Sequence, residues 1–107
     1  MKQQTIQQEV SISGIGIHTG KKSTLKIFPA KENTGIIFQR TDLPENPKVI
    51  ANFKNVSSTN RSTNIKYNNT EIKTIEHLMA SILAHKIDNL LIKIDNIEVP
   101  ILDGSSK

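Results

Sequence analysis

The firmest pattern along the chain is a stripe. Ile75, Leu78, Met79, Ile82 and Leu83 fall at i, i+3, i+4, i+7 and i+8, the spacing of one apolar face of an α-helix. Thr74 is the expected N-cap, Glu76 sits near the positive helix end, and His85 with Lys86 suits the negative end. Upstream the period shortens to two. Ile6 to Ile12 has strand composition, Gly14, Gly16 and Gly20 punctuate a turn, and Ser23 to Phe28 sets Leu25 and Ile27 between polar neighbours, so the two segments read as a hairpin that Pro29 stops. Ile36 to Phe38, Val49 to Phe53 and Ser62 to Tyr67 read as further strands, the last turning at Asn68 and Asn69. The stretch around Pro44 and Pro47 reads as a loop, and Leu90 to Ile94 returns as a strand after the helix. One apolar helix face laid on such strands predicts an α+β domain: a small, mostly antiparallel sheet with a helix packed on one face.

Composition narrows the classes. With 36% hydrophobic and 22% charged residues in 107, the chain has the make-up of one small folded domain and not of a disordered segment. The formal charge of +4 would suit an anionic partner. Against that, the lysines are spread along the chain, with only Lys21 and Lys22 adjacent, and Phe28, Phe38, Phe53 and Tyr67 form no stacking series. No nucleic-acid partner is expected. The absence of cysteine excludes disulfides and thiolate metal sites together, so any metal must be held by nitrogen and oxygen. No apolar run resembles a signal peptide or a transmembrane segment, and a cytoplasmic location is expected.

Two short motifs could carry chemistry. Gly14, Gly16 and Gly20 do not have the G-x-G-x-x-G spacing, and a P-loop would need glycine at Ile15 and serine or threonine at Lys22. A glycine-rich hairpin turn accounts for them, with His18 at its tip as a polar group that could face a ligand. Glu76 and His77 are the stronger pair, since a carboxylate beside an imidazole is half of what a zinc hydrolase needs. Their spacing matches neither H-E-x-x-H nor its inverse, which would need histidine at Lys73. His85 lies eight residues on, about 12 Å along a helix, too far to share a metal with His77. On spacing alone, two polar side chains at an exposed helix start is the simpler reading.

Longer strings add to this. G-I-G-I-H-T-G-K at 14 to 21, T-I-E-H-L-M-A at 74 to 80 and E-V-P-I-L-D-G-S-S at 98 to 106, with N-T-G-I-I-F from Asn33 and S-T-N-R-S-T from Ser58, occur in one order along the chain. Together they resemble the N-terminal part of the UDP-3-O-acyl-N-acetylglucosamine deacetylases, zinc amidases of lipid A biosynthesis. The resemblance implies a zinc ligand at His77, a general base at Glu76, and His18 close to the cleft where substrate binds. It implies Zn2+ as cofactor and UDP-3-O-acyl-N-acetylglucosamine as substrate.

It also implies an architecture of two related α/β domains packed face to face, of which residues 1–107 match the first, short of its last helix. The remaining zinc ligands and a further catalytic histidine belong to the second domain, so the expectation is one ligand and one base here, inactivity of this chain by itself, and a separate C-terminal half as partner. An apolar face left uncovered is expected with it. The alternative is a non-catalytic α+β binding module that keeps the family fold.

Overall fold

The computed structural model describes residues 3–52, 55–58 and 63–100. Its elements are β1 (Val10–Ile15), β2 (Lys22–Pro29), β3 (Ile36–Arg40), β4 (Lys48–Ile50), β5 (Val56–Ser58), β6 (Thr63–Tyr67), β7 (Thr70–Ile72), α1 (Glu76–Ala84) and β8 (Leu90–Ile94). Five strands form one sheet in the order β1-β2-β8-β3-β4, and β5-β6-β7 form a second. All pairings are antiparallel except β3 with β8. The expected α+β architecture, a mostly antiparallel sheet with a helix, is what the chain adopts.

Alternation decides which face is covered. Ser23, Leu25 and Ile27 of β2, Ile36, Phe38 and Arg40 of β3, and Leu90, Ile92 and Ile94 of β8 are buried, while the residues between them look the other way. The apolar members of this set join Val49, Ile65, Ile72, Ile75, Leu78, Ile82 and Val99 in one hydrophobic core. Each such side chain contributes about 1.5–3 kcal/mol when fully removed from water. On the opposite face the Lys93 ammonium lies 5.1 Å from the centre of the Phe28 ring. Arg40 ties the two sheets together: its guanidinium grips Asp42 through two hydrogen bonds of 2.8 and 2.6 Å and donates a third, 2.9 Å, to the Glu71 carbonyl.

Several boundaries differ from the sequence reading. The first strand starts at Val10 and not Ile6, because the terminal segment is tied elsewhere: the Gln4 carbonyl accepts the Asp88 and Asn89 amides, and the Gln4 amide donates to Asp88. It also runs through Gly14 to Ile15, which faces Lys22. Pro29 is the last residue of β2 and faces Leu90. β5 and β7 are strands that the pattern did not announce. The turn at Asn68 and Asn69 is as expected, with Asn68 at φ 55° and Tyr67 facing Thr70. Expectations that fall on Phe53, Ser62 and the D-G-S-S string lie outside the described residues.

The helix is shorter and its buried stripe narrower than the pattern suggests. Leu78 and Ile82 are buried, Met79 is half-buried, and Leu83 is 70% exposed, since one residue past Ile82 rotates away from the sheet. Thr74 is not the N-cap. That position is Ile75, without a side-chain capping bond, because the Thr74 hydroxyl is engaged elsewhere. The other end is closed by Lys86 and Ile87 amides donating to the Leu83 and Ile82 carbonyls, with Lys86 in the left-handed region at φ 56° and the His85 Nδ1 2.9 Å from the Ser81 carbonyl. No helix among the described residues is long and apolar enough to cross a membrane.

Candidate active site

The site is organised around a residue the sequence pattern did not single out. Lys73 leaves β7 and pairs with residues 97–99, its amide donating 2.7 Å to the Ile97 carbonyl and its own carbonyl accepting the Val99 amide at 3.1 Å. This fixes the backbone of Glu98, whose side chain is 1% exposed. Its carboxylate accepts the Thr19 amide at 2.8 Å, the His18 amide at 3.1 Å to each oxygen, and the Thr74 hydroxyl at 2.7 Å. Burial alone pushes the Glu98 carboxyl up, but the hydrogen bonds from the Thr74 hydroxyl, the Thr19 and His18 amides and the Thr19 hydroxyl outweigh it. The group is held below its ordinary value. Among the described residues it has no ion-pair partner.

The loop that delivers those amides folds on itself, with the Gly16 amide donating to the Lys21 carbonyl at 3.0 Å and the Gly20 amide to the Gly16 carbonyl at 2.9 Å. A Cβ on Gly16 would stand 2.3 Å from the Glu98 carboxylate and 2.7 Å from the Thr19 hydroxyl, so only glycine fits there. Gly20 takes φ 70°, a conformation glycine adopts without penalty. His18, at the loop tip, is exposed.

The start of β6 grips the other side. The Thr74 amide donates 2.9 Å to the Asn64 side-chain oxygen, the Ile75 amide 2.9 Å to the Thr63 carbonyl, and the Thr63 amide 3.1 Å to Glu76 Oε1. Thr74 is buried with φ 62°, an uncommon conformation for a β-branched residue. Glu76 is thereby half-buried and aimed, whereas His77 is exposed and its ring makes no hydrogen bond among the described residues. His77 lines a groove of about 770 Å³ between α1 and β1, together with Ser81, His85, Ser11 and Ser13.

Of the residues read from the sequence, Glu76 and His77 stand together at the first turn of α1, and the loop bearing His18 joins the segment just before them through Glu98. His85 stands at the far end of the helix. No group of three histidine, cysteine or carboxylate side chains with metal-binding geometry occurs among the described residues. Glu98 itself could have been suspected as a lone acid inside the apolar run from Ile97 to Leu102.

Glu76, aimed by the Thr63 amide, and the exposed His77 thus stand side by side at the start of the helix of an α+β domain. The chain belongs to the UDP-3-O-acyl N-acetylglycosamine deacetylase (LpxC) family, whose profile matches residues 3–107. It is 43% identical over 106 residues to the UDP-3-O-acyl-N-acetylglucosamine deacetylase of Psychrobacter sp. (strain PRwf-1), with 99% of this chain and 36% of that protein aligned. It is 46% identical over 104 residues to the enzyme of the same name from Chlamydia abortus, covering 97% of this chain and 37% of that protein. The chain thus spans little more than a third of the length of these relatives.

Proposed function

We propose that residues 1–107 form the part of a UDP-3-O-acyl-N-acetylglucosamine deacetylase that supplies its general base, Glu76, and one ligand, His77, to a zinc ion. The observation that carries this reading is the Glu76–His77 pair itself, braced by Thr63 in a chain whose family membership spans residues 3–107. The reaction is hydrolysis of the acetamide on the sugar: water adds to the carbonyl carbon, the C–N bond breaks as the nitrogen takes up the proton released from water, and acetate and a free amine result.

Glu76 accepts the proton that water gives up as its oxygen bonds to carbon. The Thr63 amide on Oε1 fixes the plane of that carboxylate, so the orientation is set before substrate arrives. His18, exposed on the neighbouring loop, would contact the sugar nucleotide. The donor set fits zinc in part. The exposed His77 ring suits one ligand, and a catalytic site takes about three, so the others come from outside the described residues, in the segment or separate polypeptide that completes the relatives. Bound there, zinc would supply Lewis-acid activation of water and carbonyl.

The test combines this chain with a polypeptide carrying the unmatched portion of the Chlamydia abortus relative. Zinc content and acetate release are measured for the wild-type pair and for two variants. Glu76→Gln should keep zinc and lose turnover by about 10²–10⁴-fold, the usual range for removing a general base. His77→Ala should lose zinc itself. Full turnover in Glu76→Gln, or unchanged zinc in His77→Ala, would overturn the assignment of that residue.

A further inference from the structure

The three strings that mark the family meet at one side chain that the proposed chemistry does not use. Glu98 begins the third string, receives the Thr74 hydroxyl at the head of the second, and receives two backbone amides of the first, where Gly16 leaves room for it. We infer that Glu98 is a positioning residue: its carboxylate sets where the Glu76–His77 pair and the His18 loop stand relative to one another. The catalytic meaning of this rests on the function proposed above, while the geometric part stands without it.

A buried carboxylate with no counter-cation among the described residues is an expensive way to fill space, since an apolar side chain of similar volume would avoid its desolvation. What it adds is direction. Each of its bonds has a fixed length and angle, and together they lock two segments separated by more than fifty residues into one register. One segment it holds carries backbone strain: Thr74, a β-branched residue, sits in the left-handed region with its amide held by Asn64 and its hydroxyl by Glu98. Two residues later comes Glu76. Freeing Thr74 lets the backbone relax, and the turn it relaxes is the one that aims Glu76 at the Thr63 amide and His77 at the groove.

Amide exchange and NMR spectra of the 107-residue chain decide the geometric part. In Glu98→Ala, the Thr63 amide and the His77 ring signals should shift, and exchange at Thr63 should quicken by about tenfold or more as its bond to Glu76 loosens. Glu98→Gln should bring both back toward wild type, because its oxygen can accept the His18 and Thr19 amides while its amino group donates to the Thr74 oxygen. Gly16→Ala, which pushes the carboxylate aside without altering it, should reproduce the alanine variant at Thr63 and His77.

Unchanged Thr63 and His77 signals in Glu98→Ala, with only His18 and Thr19 moved, would overturn the inference by reducing Glu98 to a loop anchor. Should Glu98→Ala fail to fold, wild-type Thr63 and His77 signals in Gly16→Ala would overturn it equally. In the reconstituted pair, Glu98→Ala should lower kcat by about tenfold or more, with Glu98→Gln recovering most of it. If the wild-type pair shows no turnover, the functional reading fails, and exchange at Thr63 still judges the positioning.

Discussion

A methyl group on Gly16 would overlap the Glu98 carboxylate, which is buried and bonded on both oxygens and so has little freedom to withdraw. Gly16→Ala is therefore expected to cost about 1–3 kcal/mol, the range for overpacking, read as a lower urea midpoint. Combined with Glu98→Ala its cost should shrink, because the clashing atoms are gone, and a double-mutant cycle will show that non-additivity. Acid is the second probe at this scale. Glu98 and Asp42 both have carboxyls held below their ordinary values, Asp42 chiefly by its hydrogen bonds from Arg40. The fold binds the ionised forms preferentially, so this stabilisation is complete above the unfolded glutamate value of about 4.3 and is lost as pH falls through the lower folded values. Unfolding curves at a series of pH values should show a smaller loss in Glu98→Gln than in wild type.

The helix depends on few contacts. Leu78→Ala or Ile82→Ala should each cost about 2–5 kcal/mol as a core cavity, while Leu83→Ser should stay within about 0.5 kcal/mol, which thermal melts will separate. Lys86→Gly should stabilise by about 1 kcal/mol, since φ 56° penalises any residue with a Cβ. At this scale the sequence was legible where a period was long enough to count. Leu90 to Ile94 was read to the residue, and the helix to within two residues at its start. The short strands β5 and β7, three residues each, carry too few positions to show alternation. Thr74 was misread because threonine before a helix usually caps it, and nothing local reveals that a carboxylate 24 residues away takes its hydroxyl. The Glu76–His77 pair stood out in the sequence as a candidate and Glu98 did not, since the partners of Glu98 are brought to it by the pairing of Lys73 with residues 97–99.

For the whole molecule, the uneven covering of the sheet has a consequence in solution. Val10, Ile15 and Ile17 are 43%, 48% and 63% exposed along or just after β1, an edge strand whose outer side has no partner strand among the described residues. Sedimentation velocity at rising concentration should show self-association of the isolated chain, and a single monomeric boundary throughout would contradict that. The proposed function gives the groove beside His77 a matching meaning: Glu76 would act as base and His77 as one ligand, with the other ligands supplied from outside the described residues. Acetate release from UDP-3-O-acyl-N-acetylglucosamine tests this most directly, measured with zinc present for the chain alone and for the chain mixed with the unmatched portion of a relative. The account predicts no release from residues 1–107 alone and chelator-sensitive release from the pair. Release by the chain alone, or none from a pair shown to associate and bind zinc, would contradict it.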